Sequence, residues 1–245
     1  MNAFCRKGLG IALLFLNAES RSYCQVNLGR YETGLTAGAF VYQGDLTPSP
    51  IGSYRTLQPT VNLFVNRILN PLFSLRGSLF YGGLGGNDAA YSSPAWRKQR
   101  NFNFTSSVFE LSSLLVYYPV NTRRKFYPYV FGGGGLGFLS IKRDWSRFNR
   151  EFFINEDVAA RLSVDAAHKL PKLIAVVPVG AGIQYSFTQK LSLIAETAYR
   201  LTTTDYLDGF SKAANPKLND HYQSHTIGIV YKFANQSNVG CPSVQ

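Results

Sequence analysis

The chain has 245 residues, of which 45% are hydrophobic and only 16% charged, and it carries a formal net charge of +11. Its 15 Tyr and 18 Phe, with 22 Gly, against a single Met and only 16% charged residues suggest a β protein, because aromatic residues suit pleated strands. The positive balance raises nucleic acid as a partner, but no helix-turn-helix or basic helix is present and the basic residues are scattered over loops and turns. Anionic lipid or an acidic protein suits such a chain better.

The first segment, residues 1–24, reads as a secretory signal peptide. Arg6 and Lys7 precede an apolar run from Gly8 to Leu16, and small residues follow. Cleavage fits after Ser20 or after Cys24. The apolar run is too short for a membrane helix, which needs roughly 20 residues. Cys5 leaves with this segment; if cleavage falls after Ser20, Cys24 and Cys241 could pair across the two chain ends, and the cysteine spacing excludes a four-ligand zinc site.

Residues 25–234 offer no transmembrane helix. A membrane protein must then be a closed β-barrel, the other solution that satisfies every backbone polar group in lipid. The alternation of residue types supports eight strands. In 31–42, Thr33, Leu35, Ala37, Ala39 and Val41 share one parity and Glu32, Gly34, Thr36 and Phe40 the other. In 57–67, Val61, Leu63 and Val65 alternate with Thr60, Asn62 and Asn66; in 73–81, Leu75, Leu79 and Tyr81 alternate with Ser74, Arg76 and Ser78. Segments 102–118, 127–139, 174–187, 191–203 and about 226–233 repeat the pattern, with Glu110, Glu196, Arg200 and Lys232 on the less apolar side. Connections alternate between long (43–56, 83–101, 140–173, 204–221) and short (68–71, 119–126, 188–190). The expectation is an eight-stranded antiparallel transmembrane β-barrel with short periplasmic turns, long extracellular loops and a periplasmic tail at 235–245. A soluble barrel or sandwich would turn its apolar parity inward and would not require the long-short alternation.

Several motifs suggest chemistry. Gly132-x-Gly134-x-x-Gly137 spells a dinucleotide turn, but no helix start follows it, and glycine in a barrel strand makes room for bulky neighbours or allows sharp curvature. Glu32, Arg76, Glu110, Glu196 and Arg200 fall on the inward parity. An eight-stranded barrel has room inside only for side chains, so these charges should pair and shut the lumen rather than act as acid and base on a substrate. His221, Ser224 and His225 hint at a rim hydrolase, yet Ser224 and His225 are adjacent in a strand and point to opposite faces. Residues 155–169 suit a short helix over the barrel mouth, acidic first and basic last. Arg123, Arg124 and Lys125 form a basic periplasmic turn open to an acidic partner.

Tyr42-Gln-Gly-Asp45, Arg100-Asn-Phe-Asn-Phe104, Phe109-Glu-Leu111, Pro128-Tyr-Val-Phe131, Thr204-Asp-Tyr-Leu-Asp208 and Tyr231-Lys-Phe233 with Cys241-Pro242, in that order, resemble the PorG-like outer-membrane barrels of Bacteroidetes. The resemblance implies an exported outer-membrane barrel linked to type IX secretion or gliding. It further implies no catalysis and no cofactor, with lipid and lipopolysaccharide around the wall and periplasmic ring lipoproteins as partners. It places Tyr42, Gly44, Asp45, Arg100, Asn101, Thr204, Asp205, Tyr206 and Asp208 at the extracellular strand ends, where acids and arginines can tie loops together. A general structural or surface-exposed barrel and an enzyme acting on outer-leaflet lipid are the alternatives.

Overall fold

Period-two alternation produces strands throughout. The computed structural model describes residues 30–49, 51–120, 125–214 and 219–233; the signal segment, both cleavage points, Cys24, Cys241, the tail from 235, Arg123 and Arg124 lie outside the described residues. The strands are β1 (Tyr31–Gln43), β2 (Gln58–Ile68), β3 (Phe73–Asn87), β4 (Asn103–Tyr117), β5 (Phe126–Asp144), β6 (Leu173–Ser186), β7 (Leu191–Thr202) and β8 (His221–Lys232). Each pairs antiparallel with its sequence neighbour, and β8 returns to β1, where Ala37 faces Ile227, so the sheet closes. Closure leaves no strand edge with unpaired backbone groups.

The parity divides the wall cleanly. Leu35, Leu63, Leu79, Leu111, Leu136, Val179 and Ile229 point outward and are exposed, while Thr36, Asn62, Ser78, Glu110 and Glu196 of the other parity are buried inside. This inverts the order of a water-soluble barrel. Exposed aromatics ring both margins of the apolar band: Tyr117, Phe126, Tyr185 and Tyr231 on the short-turn side, Tyr81, Phe109 and Phe138 on the other. No helix among the described residues is long and apolar enough to cross a membrane.

Three boundaries differ from expectation, all on the long-loop side. β3 continues past Tyr81 through its glycines to Asn87, β5 runs on to Asp144, and β8 begins at His221. Glycine-rich and charged residues there carry no hydrophobic alternation, but β4 gives both neighbours a ladder to extend along, with Asn103 opposite Asn87 and also opposite Asp144. Val41, of the outward parity, is buried because loop 44–57 folds back so that Gly52 lies against its side chain.

The glycine run is uninterrupted β5. A side chain on Gly133 would strike the carbonyl oxygen of Ser113 on β4, so glycine here permits close backbone approach. Gly133, Gly135 and Gly137 face Leu114, Ser112 and Glu110 across the pair and leave lumen space to those larger groups.

The inside is filled in levels. Tyr118, Tyr127, Tyr129 and Phe131 cluster with Leu114 and Val116 toward the short turns. Toward the long loops, Phe40, Tyr42, Phe80, Phe104, Leu139, Val176 and Tyr222 pack with loop residues Leu46, Phe102, Leu207 and Phe210 and with Leu162 of a helix. Among the described residues two α-helices lie in the loops, α1 (Trp96–Arg100) and α2 (Val158–Ala167).

Candidate functional site

Among the described residues two ion pairs cross the lumen. Arg76 of β3 pairs with Glu196 of β7, and Arg200 of β7 with Glu110 of β4. Although Glu196 and Arg200 share one face of one strand, each finds its partner on a different strand. Around the first pair, Arg76 Nε donates to Asn66 Oδ1 at 2.8 Å and the Tyr129 hydroxyl to Glu196 Oε1 at 2.6 Å. Asn66 Nδ2 in turn donates to Glu32 Oε2 at 3.2 Å, and Lys232 Nζ lies 3.6 Å from Glu32 Oε1. Around the second pair, Arg200 donates to Ser224 Oγ at 2.7 Å and the Tyr222 hydroxyl to Glu110 Oε2 at 2.8 Å. Arg76 also lies over Phe64 at 4.1 Å and Arg200 over Phe80 at 4.3 Å, so each guanidinium gains an aromatic face.

The space remaining between the two levels, bounded by Asn62, Ser78, Ser112 and Phe131, is about 10 Å³. That is close to the least that holds one water molecule. Among the described residues these side chains fill the axis at this level, and Glu110 and Glu196 are buried.

The residues that sequence order places at the strand ends come together at the mouth. The Tyr42 hydroxyl lies 2.7 Å from Asp208 Oδ2 and 2.7 Å from Asp220 Oδ1. All three side chains are fully buried. A side chain on Gly44 would overlap the Asp220 carboxyl and the Tyr42 hydroxyl, which is why this position has none. The far sides of the carboxyls hold loop 203–220: Asp220 Oδ2 accepts from Leu207 N at 3.0 Å, and Asp208 Oδ1 from Phe210 N at 2.8 Å. One phenolic hydrogen can serve only one of the two carboxyls at a time. Burial pushes both acids well above the usual carboxylate range, helped by Asp45 for Asp208 and by Asp208 for Asp220.

Asp88 makes a second tie. Its carboxylate accepts from Arg100 Nε at 2.6 Å and from Arg97 at 2.9 Å, while both arginines also donate to the Asp45 carbonyl. Loops 44–57 and 88–102 are thereby joined. Asn101 ends α1 in the left-handed conformation, φ 49°, which asparagine tolerates better than most residues. Thr204 Oγ1 accepts from Tyr206 N at 3.1 Å, and burial raises the Asp205 carboxyl from its ordinary value.

Asp165 of α2 makes a third. It accepts backbone hydrogens from Ser211, Lys212 and Ala213 at 2.8 to 3.2 Å, and the Tyr206 hydroxyl at 3.2 Å. Tyr206 stacks on His168 with ring centres 4.0 Å apart. Asp88, Arg97, Asp165 and Asp220 tie the mouth together and are residues that periodicity does not single out. Only their location in loops, as acids and arginines flanked by aromatics, signals them.

Ser224 and His225 do lie on opposite faces: Ser224 is tied to Arg200, while His225 points outward between Thr197 Oγ1 and the Tyr54 hydroxyl, 3.1 Å away. His221 Nδ1 accepts from Thr202 N at 3.3 Å. Lys125 is exposed on the last short-turn residue before β5. Among the described residues no group of three or more His, Cys, Asp and Glu is placed to hold a metal ion.

A family model described as "Domain of unknown function (DUF6089)" matches residues 7–235. No curated protein matches the chain. Among solved structures, the chain is similar to Neisserial surface protein A, with 15% identity, 83% of this chain and 97% of that one covered and a TM-score of 0.47. It is similar to the attachment invasion locus protein Ail of Yersinia pestis, solved with the heparin analogue sucrose octasulfate, at 14% identity over 83% and 99% of the chains with a TM-score of 0.44. A major outer membrane protein of Thermus thermophilus is similar at 13% identity over 83% and 99%, again with a TM-score of 0.44.

Proposed function

The chain belongs to the DUF6089 family, and from that premise we propose that it is a non-enzymatic, non-conducting outer-membrane barrel that serves as a docking or scaffold component. The partners in this reading are periplasmic ring lipoproteins of type IX secretion or gliding machinery. The observation that carries the reading is the filled lumen: with Arg76–Glu196 and Arg200–Glu110 stacked across it, transport and lumen chemistry have no room. What remains for binding is the two ends. The outward apolar band with its aromatic margins supports residence in lipid, and the short turns then face the periplasm. The ordered resemblance to PorG-like barrels supplies the secretion role.

The test is gentle extraction of the tagged protein from the outer membrane, with identification of associated proteins and a measurement of type IX cargo export after deletion. Co-purified ring lipoproteins and lost export support the role. Undisturbed export with a clean, partner-free barrel removes it. A surface-exposed barrel is the second reading, favoured by Phe152 and Ile154, 54% and 78% exposed in loop 145–172.

A further inference from the structure

The two ends of the barrel differ in charge. The long-loop end mixes acids and bases, with Asp88 against Arg97 and Arg100, and Asp165, Asp208 and Asp220 buried among backbone hydrogens. At the short-turn end the described charged residues are Arg30, Arg67, Lys125, Lys190 and Lys232, set against Glu32 alone. Glu32 is already engaged, with Asn66 on one oxygen and Lys232 near the other.

These bases sit at the strand ends around the short-turn side. Arg67 stands opposite Tyr31, next to Arg30, across the β1–β2 pair. Lys232 N donates to the Lys190 carbonyl at 2.8 Å, which joins two more, and Lys125 accepts through its carbonyl from Ser186 N at 2.7 Å on the neighbouring turn. Within the rim a socket of about 140 Å³ opens, lined by Glu32, Ser74, Tyr118, Tyr127 and Lys232 with Pro71 of the first short turn. Lys232 Nζ donates to the Tyr127 hydroxyl at 3.0 Å and remains partly exposed, its side chain at 23%.

We propose that this end is a receptor for a carboxylate-rich segment of a partner protein, one Asp or Glu side chain entering the socket at Lys232 while flanking acids meet Arg30, Lys125 and Lys190. The inference rests on the docking reading and specifies the chemistry of its partner. Lysine supplies a compact ammonium with three donors, and beside it the tyrosines and Ser74 add polar contacts for a carboxylate. Lipid phosphates are the competing anion, but headgroups encircle the outside of the barrel. Arg67, which points outward, can meet them. Glu32, Ser74, Tyr118, Tyr127 and Lys232 point inward and open along the axis, where a protein segment reaches and a bilayer lipid does not.

The full chain in nanodiscs of zwitterionic lipid, titrated with a fluorescent hexaglutamate peptide, provides the test. Saturable binding is expected, weakened about tenfold by Lys232→Gln and about two- to fivefold by Lys125→Gln or Lys190→Gln, and lost as salt rises from 50 to 500 mM because surface attraction is screened over about 10 Å at 0.1 M. Lys232→Arg should restore much of the affinity. Because Lys232→Gln leaves Glu32 without its ammonium, retention of the fast-migrating unheated band must accompany the measurement, and the exposed-rim variants carry the test if that band is lost. Absent binding, equal binding of a hexaserine peptide, or rim variants that bind as well as the parent would overturn the proposal. So would anion dependence that appears only when phosphatidylglycerol is placed in the nanodisc. Ring lipoproteins that still co-purify in that case leave docking intact and remove only the acidic-segment mode.

Discussion

Arg200 Nε lies 2.6 Å from Glu110 Oε2, with the two side chains 1% and 0% exposed. At that burial, neither charge is tolerable without the other, so the pair acts as a conditional lock rather than as a simple gain in stability. Glu110→Gln or Arg200→Ala should each lower the stability of the barrel in liposomes by about 3–5 kcal/mol. The double change Arg200→Met with Glu110→Leu should recover most of that loss, because apolar groups of similar size need no counter-charge. Urea unfolding followed by the fluorescence of Trp96 and Trp145 reads the difference; a double variant no better than either single one would refute the lock.

The group formed by Tyr42, Asp208 and Asp220 predicts a pH dependence of unusual sign. Both acids bind protons more tightly in the folded protein than the ordinary carboxylate value of about 4. Their contribution to stability is therefore full below about pH 4 and declines as pH rises through the elevated folded values. Asp45 and Asp205 push in the same direction around the pair, and Arg100 opposes them at Asp208. Loop 203–220 should become more readily cleaved by protease as pH rises from 5 to 9. Asp220→Asn, neutral at every pH, should flatten the profile; an unchanged slope would show that these carboxyls are not its source.

Asp165 holds three consecutive backbone hydrogens of the 203–220 loop with one side chain. Hydrogen bonds to a charged group are worth about 1.5–3 kcal/mol each in buried settings, less when they share one acceptor. Asp165→Ala should raise amide exchange at Ser211, Lys212 and Ala213 by about a hundredfold, while exchange in β4 and β5 stays as it was. Equal acceleration in the strands would mean that the loops and the wall open together.

A filled lumen also makes an electrical prediction. Reconstituted in a planar bilayer, the protein should give no steady ionic current. Arg76→Ala combined with Glu196→Ala empties one of the two levels, and it too should remain silent, because Arg200 and Glu110 still cross the barrel above it. A resolved, long-lived conductance in the parent would contradict the packing described.

Most of the wall was legible because lipid-facing and inward positions alternate with a period of two, as Leu63 beside Asn62 and Leu111 beside Glu110 make plain. The eight strands could be counted from that alternation. Their tops could not, since Gly82 to Asn87 and Ser140 to Asp144 rise beyond the apolar band, where solvent and loops impose no pattern. Pairing inside the lumen depends on stagger between strands, which residue order does not carry: Arg76 could be placed on the inward face, but not matched to Glu196 rather than Glu110. The mouth was legible only as a set of residues in order. Asp220 and Asp165 join it through contacts 178 and 41 positions away, to Tyr42 and Tyr206, and no local rule connects such distances.

Phe102 and Phe210 lie flat against each other, ring centres 4.4 Å apart and planes 11° from parallel, where two loops meet above the packed lumen. With cross-braces below and interlocked rings above, the cylinder has little freedom to ovalise. A tug on its short turns would then travel up the wall to the cell surface without being absorbed by deformation, as in a rivet rather than a valve.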